Sequence, residues 1–431
     1  MRNEAPVSAR QAIGGWLASH PAALVLIIWV LDAVICWLRV RPVERDRLWA
    51  EDSVIFIRGW VLNPSIWIPF RPYSGYVQFL PSSISGVISM APTYYWALFT
   101  TAAACIVVGS VGAVAFHCSR YLLTSWPARA AVALAPVLLP LAGVEPLGNL
   151  CNLHWWAIYA VFWLLFARTG KRWSTALLVA YTLIWMLSET TVLFFVPLAV
   201  LILWRSKNLG QKLISVAVLV GSVVQLAAYL STGRGAYSSE TQHVAQVVKG
   251  MLISVFGGTL TESAALAQSV AQWFGYRSMA VVAIMSLVPV LIAFWGAPAK
   301  IRLAIFYAGG LAMFLWPFTA YLLKFPGGAP LVPWRWGMGP ALCLMTIWIL
   351  ALDQFVQRRR LDVMAATLII GALFVVQCCS FSTLNDRRVG GTAWRDFVVA
   401  GQAECRAGAT EVASPGFPQE WAWMVPCTRL R

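Results

Sequence analysis

Acidic side chains are scarce in this chain: 17 of its 431 residues are Asp or Glu, against 32 Lys or Arg. Charged residues of both signs make up only 11% of the sequence, too few to solvate a soluble protein of this length. No C-x-x-C pair and no zinc-type cysteine spacing occurs, which removes cysteine-based metal sites. No basic soluble domain accompanies the formal charge of +15, so nucleic-acid binding does not explain it. A cleavable leader is not expected either. The first apolar run begins near Pro21, and no small-residue cleavage site follows before Arg39 and Arg41.

What is present is apolar surface. Hydrophobic residues account for 60% of the chain, with 23 Trp and a mean hydropathy of +0.71. Apolar runs of about 18–22 residues recur, the length needed to cross roughly 30 Å of hydrocarbon as helix. The expected class is an all-α polytopic membrane protein with eleven spans. They cover about 21–39, 93–116, 130–145, 149–167, 174–188, 190–204, 213–231, 278–295, 302–323, 338–352 and 361–379. The runs at 130–167 and 174–204 have almost no internal loop, so tilted or partly inserted helices are expected there.

The short connections set the orientation. With the N-terminus inside, the inner loops carry Arg120, Arg129, Arg168, Lys171, Arg172, Arg205, Lys207, Lys212, Lys300, Arg302 and Arg358 to Arg360. The shortest outer connections, near 145–153 and 188–190, carry no Lys or Arg, as the positive-inside rule requires. Residues 1–380 then form a transmembrane unit with long outer loops at 40–92 and 232–277, and 381–431 form an exported tail. Cys405 and Cys427 lie in that tail. An oxidising compartment favours a disulfide between them, worth about 3 kcal/mol by loop closure; two free thiols are the alternative. The tail runs D-F-V-V-A and W-A-W-M-V look strand-like.

Against this acid-poor background the segment W-A-E-D-S-V-I-F, Trp49 to Phe56, places Glu51 and Asp52 side by side just beyond the first span. Two acids among apolar residues are an awkward solubilising choice, although acids also favour the first turn of a helix. Glu189 lies between two apolar runs, where an ionised group needs a partner or a cavity. His154 sits among tryptophans and could be an interfacial residue. Asp32, inside the first span, suits either a functional role or a local hydrogen bond.

The E-D segment, followed by P-Y-S-G-Y-V-Q-F-L-P at Pro72 to Pro81, resembles the polytopic glycosyltransferases of the GT-C fold. Many of these carry an acidic pair in the first outer loop and use polyprenyl-phosphate-linked sugars. N-L-H-W at Asn152 to Trp155, L-S-E at Leu187 to Glu189 and the tail pattern W-R-D-F…C…P…W…C are similar to a bacterial branch, in which Gly is expected where Ser53 stands. The resemblance implies transfer of a single sugar from a polyprenyl-phosphate donor to an envelope glycan, an O-antigen or other surface polysaccharide. The reaction would occur on the non-cytoplasmic side of a bacterial inner membrane, with the lipid bilayer and no nucleic acid as partner.

Such a transfer needs a carboxylate to take the acceptor proton, and cations or a metal to stabilise the leaving phosphate. Asp52 is the first choice for the base, with Glu51 the alternative or a ligand for a divalent cation, Mg or Mn. Arg58, Arg71, Lys324 and Arg335 are candidate phosphate partners. Tyr73 is a candidate for stacking on sugar, and His154 and Glu189 for binding or supporting roles. Two other classes compete. A lipid-linked glycan flippase or transporter would call for mid-depth polar residues and broken inverted repeats. A surface-polysaccharide polymerase or ligase would rely on outer-loop Arg and His.

Overall fold

The computed structural model describes residues 21–232, 243–261, 264–323, 334–379, 381, 392–416 and 421–430. It is predominantly helical, with only two small two-stranded sheets among the described residues. The principal helices are α1 (Pro21–Arg39), α2 (Phe79–Ser89), α3 (Trp96–Ser119), α4 (Trp126–Leu138), α5 (Ala157–Leu165), α6 (Arg172–Met186) and α7 (Val196–Arg205). They continue with α8 (Leu209–Thr232), α9 (Ala264–Gly296), α10 (Ala299–Leu323), α11 (Met338–Gln357), α12 (Val363–Cys379) and α13 (Trp394–Arg406).

Among the described residues, seven helices are long and apolar enough to cross a bilayer: α1, α3, α4 with its continuation to Gly143, α8, α9, α10 and α11. The other four expected spans form shorter helices, with α5 and α7 each entered through a 3-10 turn. Broad faces of α1, α8 and α9 stay exposed, including Leu26, Val30, Val223, Leu230, Ile284 and Leu291. Helices that are apolar all round and half-exposed suit a lipid solvent.

Close helix approach depends on small residues. A Cβ at Gly109 of α3 would lie 2.7 Å from the backbone nitrogen of Ala33 and the carbonyl oxygen of Trp29. One at Gly112 would meet the Asp32 carboxylate. The α1–α3 contact is thus backbone to backbone, as expected where packing rather than solvent exclusion drives association. Asp32 is fully buried there, and its oxygens accept no hydrogen bond among the described residues.

The long connection between α8 and α9 carries helix, and one expectation for the tail is corrected. The stretch 232–277 is largely helical where it is described. It contains Val244–Met251, a π-helical segment Leu252–Gly257 and the start of α9, which bends at Gly275 (φ 78°). In the tail, D-F-V-V-A is helix rather than strand. Trp394, Phe397, Val398, Gly401 and Cys405 are its buried residues, a 3.6-residue spacing that the short run of valines concealed. Only Met424–Pro426 from the second run is extended, paired antiparallel with Glu411–Ala413.

The tail folds onto the first long loop. Cys405 is joined to Cys427. Trp394 donates its backbone N–H to the Asp46 carbonyl at 2.7 Å and its indole N–H to Thr93 at 2.8 Å. Arg395 pairs with Asp46 at 3.0 Å, and the Trp423 indole donates to Ser53 Oγ at 2.7 Å. Loop and tail therefore lie at the same end of the bundle.

Candidate functional site

At that end, four segments converge on a small polar cavity. Its wall includes Glu51, Tyr73, Tyr76, Gln78, Asn152, His154 and Arg335. The cavity volume is about 50 Å³, room for a few waters or one phosphate-sized group.

The local sequence explains how each segment is aimed. Ala50 adopts φ 40°, a left-handed conformation that a residue with a Cβ adopts only when its surroundings impose it. The chain then enters a π-helical segment at Asp52. This turn sends the adjacent acids to different places. Asp52 is fully buried, and its two oxygens accept the backbone N–H groups of Leu150 (3.1 Å) and Cys151 (2.7 Å). It fixes the 149–152 loop and does not line the cavity. Glu51 does line it, and among the described residues its carboxylate accepts no hydrogen bond.

The P-Y-S-G-Y element is a two-residue hairpin. Ser74 (φ 55°) and Gly75 (φ 88°) occupy the turn between β1 (Pro72–Tyr73) and β2 (Tyr76–Val77), the geometry that matches strand twist. The buried Gln225 side chain of α8 clamps both sides of Val77, accepting its N–H at 2.9 Å and donating to its carbonyl at 3.0 Å. Phe79 and Leu80 are bonded in turn to Leu187 and Ser188. Hairpin and Glu189 segment are therefore fixed relative to each other.

A buried histidine–carboxylate hydrogen bond and a half-buried arginine–carboxylate ion pair flank the cavity. His154 Nδ1 contacts Glu189, which also accepts the Thr191 N–H at 2.8 Å. A carboxylate on Nδ1 fixes the tautomer with the proton there, leaving Nε2 as an acceptor for a ligand. Arg335 pairs with buried Glu145 while about a quarter of its side chain stays exposed. A guanidinium has five N–H donors, so this contact leaves others for a ligand. Burial pushes the Cys151 thiol well above its usual range, reinforced by Asp52, Glu51 and Glu145 nearby. It is a packed thiol rather than a nucleophile.

The structure thus brings Glu51, Tyr73, His154 and Arg335 together, with Glu189 directly behind His154. Arg58 and Arg71 are exposed and do not line the cavity. Lys324 lies outside the described residues. Two residues not singled out as site groups belong here. Gln78 Oε1 and Asn152 Nδ2 are buried without partners at the cavity wall, where a bound water or a ligand would satisfy them. In sequence they read as ordinary loop amides.

The donor set does not fit a resident divalent cation. Asp52, Glu145 and Glu189 are each engaged, and no cluster of three His, Cys, Asp or Glu occurs among the described residues. That leaves Glu51 facing a guanidinium.

Beside this site lies a larger, mainly apolar cavity of about 310 Å³. Phe194, Phe318, Leu226 and Tyr229 line it, and it shares Trp155 with the polar cavity and Glu189 with the His154 pair. The chain matches no protein-family model, no curated protein and no solved structure.

Proposed function

We propose that the protein is a GT-C-like glycosyltransferase that moves a single sugar from a polyprenyl phosphate to an envelope glycan. The active site would be at the loop-and-tail end of an eleven-span bundle, outside a bacterial inner membrane with the N-terminus inside. The observation that carries this reading is the junction of the two cavities: a polar cavity with a carboxylate, a guanidinium and a histidine opens beside an apolar one. That pairing suits an amphiphile whose chain lies among Phe194, Phe318 and Leu226 and whose phosphate reaches Arg335.

Glu51, rather than Asp52, is the general base in this proposal. It takes the proton from the acceptor hydroxyl as that oxygen attacks the anomeric carbon. The bond from that carbon to the phosphate oxygen breaks, and polyprenyl phosphate leaves with its charge held by Arg335. With the cavity widened beyond its 50 Å³ to admit a sugar, Gln78 and Asn152 would hold its hydroxyls and Tyr73 would pack on the ring. His154 positions the acceptor through Nε2. Arg58 and Arg71 have no role in the step.

His154 and Arg335 in one cavity also favour a polysaccharide ligase or polymerase. The two are separated by supplying labelled monosaccharide on polyprenyl phosphate or labelled glycan on polyprenyl diphosphate to protein in nanodiscs. Transfer from the monophosphate alone is expected. Transfer only from the diphosphate-linked glycan would replace this reading with the ligase.

A further inference from the structure

A cavity of about 640 Å³ lies at the opposite end of the bundle, among the ends of α3, α5, α7, α8 and α10. Helix α5 runs from beside His154 to beside Arg168, so the two sites sit at its two ends. Four cations line this second cavity, Arg168, Arg205, Lys207 and Lys300, and no carboxylate does.

Excess positive charge on one face is the ordinary mark of membrane topology, and alone it would not make a site. Here the frame is built. Gln211, nearly buried at the start of α8, donates to the Leu165 carbonyl at 2.8 Å, and Asn208 donates to the Thr169 carbonyl at 3.1 Å. These amides tie the α7–α8 turn to the end of α5. Lys300 donates to the Tyr121 carbonyl at 2.8 Å, and the Tyr121 hydroxyl bonds the Arg168 carbonyl. The walls carrying all four cations are therefore cross-linked around the space. Nearby Leu201, Ile202 and Leu303 give it an apolar floor.

We infer that this cavity binds a phosphate-bearing group, most simply the headgroup of an anionic membrane lipid. Convergent Lys and Arg supply charge-assisted donors to phosphate oxygens, and the apolar floor accepts the first carbons of an acyl chain. The inference is independent of the proposed transfer reaction. A soluble phosphate would use the same donors and leave the floor uncovered.

Native mass spectrometry of the full chain tests it, using nanodiscs of phosphatidylcholine doped with phosphatidylglycerol. A lipid-free detergent arm with pyrophosphate is read by thermal shift. Retained phosphatidylglycerol is expected. Retention should weaken on the order of 25-fold in R205Q/K207Q, about fivefold per cation, while R359Q/R360Q, on the same face outside the cavity, keeps it. Stabilisation by pyrophosphate without lipid retention would assign the site to a soluble phosphate. The inference is overturned if neither probe binds, or if R359Q/R360Q loses as much as R205Q/K207Q. R168Q serves as the second variant should the double substitution fail to fold.

Discussion

The two ends of this bundle handle charge in opposite ways. At the loop-and-tail end, carboxylates are buried and answered individually: Asp52 by two backbone amides, Glu145 by Arg335, Glu189 by His154. At the other end the cations are exposed and converge on an open cavity without a carboxylate. Charge buried away from water is costly unless paired, so the first end fixes its groups in place. Exposed cations attract without fixing a geometry. On the proposed reading, positioned chemistry belongs at one end and anion capture at the other.

The largest stability effect expected from this contrast is at Arg335. Arg335→Ala leaves Glu145 charged, buried and unpaired, which should cost about 3 kcal/mol, the low end for a buried pair because Arg335 is partly exposed. Removing a single exposed cation such as Arg205 should cost under about 0.5 kcal/mol. Chemical denaturation of both variants in detergent checks this, and equal costs would erase the distinction.

Next is the tail. Reducing or replacing the Cys405–Cys427 bond releases a loop worth about 3 kcal/mol at most, felt by the tail alone. Hydrogen exchange should rise in α13 and in the Met424–Pro426 strand with α3 unchanged. A smaller effect is expected at Asp353, a buried carboxylate that organises the opposite end. It accepts the N–H groups of Thr124 (3.0 Å) and Ser125 (2.9 Å). Asp353→Ala should cost about 1–3 kcal/mol by orphaning those donors, read as a lower melting temperature with sugar transfer intact.

The smallest signal is at Cys151. Its thiol, raised by burial beside Asp52, should resist maleimide at neutral pH in the parent. It should become reactive in Asp52→Asn, where the loop it sits on is loosened. Equal labelling of both proteins would mean that Asp52 does not hold that loop.

The bilayer-length helices were legible because hydropathy over some twenty residues is a strong signal; α1, α3, α8, α10 and α11 stand close to where the runs place them. Shorter runs were less so. Apolar stretches of nine to seventeen residues, as in α5 and α12, form helices whose length alone does not decide a crossing. The tail helix was hidden because D-F-V-V-A satisfies a strand pattern locally, and its helical period shows only when Trp394, Gly401 and Cys405 are counted with it.

At the site, the residue types could be read but their division of labour could not. Which of two neighbouring carboxylates faces a cavity depends on the left-handed turn at Ala50 and on amides 98 and 99 residues away. No periodicity encodes either. Gln78 and Asn152 stand inside motifs legible in the sequence, but their role was not, for a related reason: an amide matters as a ligand group only when its neighbours leave it buried and unpaired. Arg58 and Arg71 looked equivalent to Arg335 in sequence, and only Arg335 meets a buried carboxylate.

The most direct test compares Glu51→Gln with Asp52→Asn for transfer of labelled sugar from polyprenyl phosphate, each measured beside its own unfolding curve. Glu51→Gln is expected to lose about 10²–10⁴ in rate, the usual cost of removing a positioned base, with stability unchanged. Asp52→Asn is expected to lose about 1.5–3 kcal/mol of stability as a charged acceptor becomes a neutral one, its activity falling through the loosened 149–152 loop. Parent-like turnover by Glu51→Gln, with Asp52→Asn inactive yet fully stable, would contradict the account and return the base to Asp52.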